Sequence, residues 1–227
     1  MPCDLGFKSY SRIDVPVQQP AVLKKRCAAP AVDAELMRLI GQDDQQFVEW
    51  INELDTAPLL QKALDAALSA GGARGVTFSV SADGLIAETT YLGAREKQRA
   101  EKAIEKVSRR WQIEVLAVAA QLLDFETQVT ATAVGGKDVL MLEGEKHGSS
   151  RVHEYWRVSF DPAAETTMLF EHFASRQEVD AVRDKFLALS QRLGVRIAVT
   201  ATRQSGSPIP EGAVHEHFIR QHGPRSR

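Results

Sequence analysis

Three short stretches of this chain occur twice, in the same order. Val80-Ser81-Ala82-Asp83 is echoed by Val158-Ser159-Phe160-Asp161, Ala87-Glu88-Thr89-Thr90 by Ala164-Glu165-Thr166-Thr167, and Val129-Thr130-Ala131-Thr132 by Val199-Thr200-Ala201-Thr202. The first match falls at the end of a predicted strand, the second in the strand after it, and the third in a strand that follows a helix. A recurring order of this kind is the mark of a duplicated supersecondary unit. From Ala87 to Val129 is 42 positions, and from Ala164 to Val199 only 35. The seven extra residues amount to about two helical turns, so the first copy has the longer helix.

The surrounding residues supply the elements. Val76, Phe78 and Val80 alternate with Thr77, Ser79 and Ser81, the period of a half-buried strand. Asp83-Gly84 tolerates the positive backbone angles of a tight turn, so Leu85 to Leu92 returns as the second strand of a hairpin. A long helix follows over about 94–123, with Ala100, Ala103, Ile104, Val107, Trp111, Val115, Val118 and Leu122 on one face. A second hairpin runs over 127–134 and 138–145 around Gly135-Gly136. Val139 to Leu142 are continuously apolar, as in a strand buried on both faces. In the second copy, Ser175 with Glu178 three positions later opens a helix whose core stripe is Val179, Val182, Phe186, Leu189 and Leu193, and Gly194 closes it.

The part before the duplication is different in kind. Residues 1–32 hold Pro16, Pro20 and Pro30 and only short apolar stretches, which predicts an extended arm. Residues 33–72 predict three short helices: one capped by Asp33 and stopped near Gly41, one with Phe47, Trp50, Ile51 and Leu54 on a core stripe, and one begun by Thr56 and Pro58 and ended by Gly71. The expected fold class is therefore α+β. A helical N-terminal segment precedes two tandem ββαββ units, residues 73–147 and 152–220, with antiparallel sheets and pseudo-twofold symmetry, and residues 221–227 form a tail.

Composition narrows the chemistry. The chain has 28 basic and 30 acidic residues and a formal net charge of -2, so it lacks the overall field that draws in polyanions. No apolar run reaches the roughly 20 residues needed to cross a bilayer, and the start lacks a secretory pattern, which places the expected protein in the cytoplasm. Cys3 and Cys27 are the two cysteines, too few for a disulfide framework or a four-cysteine zinc site.

The stretch Val107-Ser108-Arg109-Arg110-Trp111-Gln112-Ile113-Glu114-Val115-Leu116, continuing through Leu122-Leu123-Asp124-Phe125 into a hairpin, resembles the C-terminal half of a family known from cyanobacteria and algal chloroplasts as a conserved hypothetical reading frame. The strand, Asp83-Gly84 turn, strand and helix resemble a small bacterial domain of unknown function often encoded beside it. The two likenesses together span Gly75 to Glu145. The chain departs from the pattern at Leu142-Glu143-Gly144-Glu145, where the family is aromatic and basic, and around Gly93-Ala94, where the small domain has a Gly-Cys feature. Such genes commonly accompany an AAA-type ATPase, so the resemblance implies a protein partner of that class. It assigns no catalytic residue.

Gly71-Gly72-Ala73-Arg74-Gly75 lies between a helix and a strand, whereas a phosphate loop leads from a strand into a helix, so it reads as a helix end and turn. His215-Glu216-His217 puts two imidazoles on one side of a strand, and with His222 these are the metal candidates, although a third ligand is not established. Arg109 and Arg110 beside Trp111 are the nucleic-acid candidates, while the apolar stripe claims Trp111 for the core. His172 between Phe170 and Phe173 reads as a structural histidine. Glu143 and Glu145 share one face of a strand, which suits either acid–base work or a solvent-facing edge.

These features together predict a non-enzymatic accessory or adaptor protein, without a cofactor, that binds another protein through sheet edges or the N-terminal arm. The alternatives are a small-ligand or RNA-binding protein using a groove between the two units, and a metal-dependent enzyme using the C-terminal histidines.

Overall fold

The computed structural model describes residues 6–15, 32–71, 75–81, 84–89, 94–134, 137–147, 153–160 and 166–207. In chain order the elements are β1 (Gly6–Asp14), α1 (Ala34–Asp43), α2 (Gln45–Glu53), α3 (Ala57–Ser69), β2 (Val76–Ser81), β3 (Gly84–Thr89), α4 (Ala94–Gln121), β4 (Glu126–Val134), β5 (Lys137–His147), β6 (His153–Phe160), β7 (Thr167–Phe173), α5 (Arg176–Arg192) and β8 (Ala198–Ser207). Helices and antiparallel sheets together make the chain α+β, as expected. It divides into two compact units: residues 1–15, 120–186 and 197–227 in one, and 16–119 with 187–196 in the other.

The first unit is built on a six-stranded sheet of order β4-β5-β6-β7-β1-β8, antiparallel throughout. One face of the sheet is its apolar core. The register aligns Val129, Leu142, Val158, Met168, Ser11 and Thr202 in one row across all six strands, and Thr127, Gly144, Trp156, Phe170, Ser9 and Gln204 in the next. Leu142, Val158 and Met168 are fully buried. Trp156 anchors the face, with ring centroids 4.7 Å from Phe186 of α5, 6.3 Å from Phe125 and 6.4 Å from Phe170. Tilted aromatic pairs of this kind add about 0.5–1.5 kcal/mol each beyond the area they bury. Gly144 is needed beneath this indole: a Cβ there would stand 3.0 Å from Trp156 Cε3 and 3.3 Å from Phe125 Cβ.

Helix α5 starts as its sequence predicts. Ser175 Oγ accepts from Glu178 N at 3.1 Å, and the Glu178 carboxylate accepts from Ala174 N at 3.1 Å. Asp180 ties the helix to the edge strand by accepting from Gln204 Nε2 at 2.5 Å.

Of the expected extended arm over residues 1–32, Gly6–Asp14 is a sheet strand, β1, and residues 1–5 and 16–31 lie outside the described residues. The strand lies between β7 and β8, pairing Tyr10 with Leu169 and with Arg203. The prolines that suggested an arm all follow it in sequence. Its buried face carries Ser9 and Ser11, both fully buried, where apolar residues would have advertised a strand.

In the second unit, Asp33 caps α1 by accepting from Glu35 N at 2.9 Å and Leu36 N at 3.4 Å. Gly41 does not stop this helix, which continues to Asp43. A Cβ there would lie 3.2 Å from the end of the Gln45 side chain and in ordinary contact with Val48 at 3.5 Å, so the position does not demand glycine on steric grounds. Asp44 ends α1 and caps α2, accepting from Phe47 N at 2.9 Å. On α2 only Ile51 is fully buried, while Trp50 is 39% exposed and leans on Phe47 at 5.5 Å, so the stripe predicted there is core at one position. The far end of α2 is held by Arg192, whose guanidinium donates to the carbonyls of Ile51, Asn52 and Leu54 at 3.1, 3.1 and 3.2 Å. Helix α3 has Pro58 in its first turn and buries Leu60, Ala63, Leu64 and Ala67, and Gly71 N closes it on Leu68 O. The hairpin β2-β3 forms its own two-stranded sheet.

Elements β2, β3, α4, β4 and β5 come in the order strand, strand, helix, strand, strand, while the strand expected after β8 lies outside the described residues. Pairing differs from one sheet per repeat in two respects. The hairpins β2-β3 and β4-β5 lie in different sheets, and β1 separates β7 from β8. Helix α4 has 28 residues and α5 has 17, so the first helix is the longer.

The two helices end alike. Asp124 N bonds Gln121 O and Phe125 N bonds Ala120 O, at 3.0 and 3.1 Å, with Asp124 at φ 67. Gly194 N bonds Gln191 O and Val195 N bonds Ser190 O, at 2.9 and 2.8 Å, with Gly194 at φ 88. Both are left-handed C-caps in which the residue after the helix turns the chain into the next strand.

Candidate functional site on the second face of the sheet

The face of the six-stranded sheet opposite Trp156 is polar, and its rows are fixed by strand register. Gln128, Glu143, Arg157, Leu169, Tyr10 and Arg203 form one row across six strands. Thr130, Met141, Ser159, Thr167, Arg12 and Ala201 form the row on one side of it. Glu126, Glu145, Tyr155 and Glu171 lie on the other. The two ends of this face differ in character. Toward β5 and β6 it is acidic and buried; toward β1 and β8 it is basic and exposed.

At the buried end, Glu143 and Glu145 are 4% and 5% exposed. Their strand is interior, flanked by β4 and β6, which rules out the solvent-facing edge that the sequence allowed. Tyr155 donates its hydroxyl to Glu143 Oε1 at 2.5 Å, and Arg157 stands directly across from Glu143 in the register. Burial, then the hydrogen bond to Glu143, then the charge of Glu143 push the Tyr155 phenol well above its ordinary value. The hydroxyl thus remains protonated and serves as a donor to a buried acid. A proton held this firmly, away from solvent, suits a structural contact better than acid–base catalysis.

At the exposed end, Lys8, Tyr10 and Arg12 occupy alternate positions of β1 and so point the same way. Tyr10 is 44% exposed, and Arg203 of β8 lies opposite it and is exposed as well. Lys8 reaches Glu171 at 4.0 Å. The sequence signal was present but faint, being the alternation Lys-Ser-Tyr-Ser-Arg. Its alternate serines disguised which side was buried.

The residues singled out from sequence are placed as follows. Arg109 pairs with Glu105 at 3.8 Å and Arg110 with Glu114 at 2.6 Å, each one helical turn along α4. Trp111 is 2% exposed, so its ring belongs to the core and is covered. His172 is buried with φ 66, at the register shift between β7 and β1. His215, His217, His222, Cys3 and Cys27 lie outside the described residues, as do Gly72, Ala73 and Arg74 of the glycine-rich loop. Among the described residues no three His, Cys, Asp or Glu side chains are grouped to hold a metal ion, and no described helix is long and apolar enough to cross a membrane.

Comparison of the chain with protein-family models, curated proteins and solved structures finds no match.

Proposed function

We propose that the chain is a non-enzymatic accessory protein that binds another protein by adding a strand of its partner to β8. The observation that carries this reading is the edge itself. β8 is ten residues long, is the outermost described strand of the sheet, and is exposed at nearly every position. Arg203 is its single charged residue and it contains no proline. Edges not meant for pairing are usually short, charged, bulged or covered; β8 has one register irregularity, opposite Arg12 and Ile13, and from Ala201 to Ser207 it runs in unbroken register as a template for another strand. The resemblance of the α4 region makes an AAA-type ATPase the partner class to examine first, and a cytoplasmic setting fits such a pairing.

The finer architecture belongs to the same proposal. Two tandem ββαββ units related by duplication and a pseudo-twofold axis account for the matching C-caps of α4 and α5. In both copies the cap glutamine, Gln121 or Gln191, precedes the repeated valine by eight positions. They also account for the two Val-Thr-Ala-Thr strands, β4 and β8, standing at opposite ends of one sheet.

The test uses neighbouring proline substitutions in β8. Adjacent residues of an edge strand turn their N–H groups alternately inward and outward, so of Ala201→Pro and Thr202→Pro one removes a bond to β1 and the other an outward donor. Tagged full-length protein captured from its native cells, with bound proteins identified by mass spectrometry, should retain a partner in the wild type. The outward variant should lose it while keeping its circular dichroism. Equal recovery with both variants, or no stoichiometric partner at all, refutes the proposal.

A further inference from the structure

We infer that the exposed basic end of the sheet face, centred on Tyr10, binds single-stranded nucleic acid. This site lies on the face of β1 and β8 and is distinct from the outer edge of β8, so it stands apart from the protein-binding reading.

The chemistry required for such binding is an aromatic ring open to solvent, on which a base stacks, with cations beside it for the phosphates. Tyr10 supplies the ring: it is 44% exposed in the middle of a strand whose other face is fully buried at Ser9 and Ser11. The sheet beneath holds it rigidly, since β1 is paired on both sides. Three cations surround it on the same face. Lys8 and Arg12 are two positions away in either direction along β1, about 7 Å at strand rise, and Arg203 is the cross-strand neighbour on β8. Lys8 lies 4.0 Å from Glu171, Arg12 has a partner of its own, and Asp14 at the end of β1 is exposed, so the cationic patch is partly compensated. The remaining neighbours of Tyr10 in its own and the adjacent row are uncharged: Leu169, Thr167 and Ala201. One ring with a few long, mobile cations binds by stacking and charge rather than through a fixed set of base-edge contacts, so the expected selectivity is for single strands over duplexes and not for sequence.

The formal net charge of -2 argues against a binder that relies on a whole-molecule field. It leaves room for a local site with few phosphate contacts, whose salt dependence would be shallow. Two or three contacts to a single strand predict that affinity falls about 7- to 18-fold between 50 mM and 200 mM salt.

The experiment is fluorescence anisotropy of the full chain with a labelled oligouridylate of about twelve nucleotides, a length that fits the site sizes of sheet-based binders. The same strand annealed to its complement and a peptide of alternating glutamate and valine serve as comparison probes. Wild-type protein should bind the single strand more tightly than the duplex. Tyr10→Ala should weaken binding about ten-fold, Tyr10→Phe should preserve it, and Arg203→Glu should weaken it and flatten the salt dependence. Both sites are exposed, and unchanged circular dichroism confirms that the variants fold. The inference is overturned by no binding at about 100 µM protein, the weak limit of non-specific association, or by variants that bind like wild type. It is also overturned if the acidic peptide binds as tightly with the same dependence on Arg203, which would make the patch a site for an acidic protein segment.

Discussion

Replacing Tyr155 by phenylalanine removes one oxygen atom from the interior and tests what holds the acidic half of the sheet face together. The ring keeps its packing, so the effect isolates the hydroxyl that donates to Glu143 at 2.5 Å. A hydrogen bond to a charged group contributes about 1.5–3 kcal/mol, and a buried acceptor left without its donor loses that full amount. Glu143 is 4% exposed and cannot turn to water for a substitute. The expected loss for Tyr155→Phe is therefore about 2 kcal/mol, which for a chain of this size lowers the melting temperature by about 4–8 °C. Glu143→Met should cost at least as much, because it strands the Tyr155 hydroxyl and removes the acid opposite Arg157. The double variant should cost less than the two singles combined, with a coupling energy of about 1.5–3 kcal/mol in urea denaturation at neutral pH. Single variants whose effects add to within about 0.5 kcal/mol would show that the two groups do not cooperate, and the account of this face would fail.

Alkaline titration checks the same contact independently. The folded phenol keeps its proton above its ordinary value of 10.0, so the contribution of Tyr155 to stability is complete below that pH and declines as pH rises beyond it. Wild-type stability should accordingly fall more steeply above pH 10 than that of Tyr155→Phe, measured by urea midpoints across the range. Gly144→Ala drives a methyl to 3.0 Å from the Trp156 ring and should destabilise by about 1–3 kcal/mol, with altered near-ultraviolet circular dichroism from the indole. Arg192→Met frees three carbonyls at the end of α2 and should cost about 1.5–3 kcal/mol. Faster amide exchange confined to α2 would locate the loss, and Arg192→Lys should restore only part of it because an ammonium cannot fork. The two C-caps make an opposed pair: Asp124→Gly should stabilise by about 0.5–1 kcal/mol and Gly194→Ala should destabilise by about 1 kcal/mol, since both positions hold a positive φ.

Elements with strong local signals were legible. Asp33, Ser175 and Gly194 act where their side chains or lack of one predict, and the period-two pattern of Val76, Phe78 and Val80 became β2 with alternating burial. Near Gly41 the outcome was local: α1 ends two residues beyond it, at Asp43, where Asp44 caps the next helix. What stayed hidden was decided by distant partners. β1 was missed because two of its inward residues, Ser9 and Ser11, are serines, buried against strands more than 150 positions away. Glu143 and Glu145 suited an acid–base pair or a solvent-facing edge equally, because the tyrosine that accommodates one of them belongs to the next strand. The exposed face around Tyr10 follows from the same register, so it became visible only once β1 had a place.

The position of β1 sets an order of events in synthesis. Its hydroxyl contact from Ser11 to Thr202 joins residues 191 positions apart, and on its other side it pairs with β7. β1 is made first but has no neighbour until β7 emerges, and its second neighbour, β8, is complete only at residue 207. Closing so long a loop costs little extra entropy once both ends exist, but it delays the sheet until nearly all of these residues have emerged. The nascent chain therefore carries β1 as an unpaired strand for most of its translation, the period in which it most depends on being shielded from its own kind.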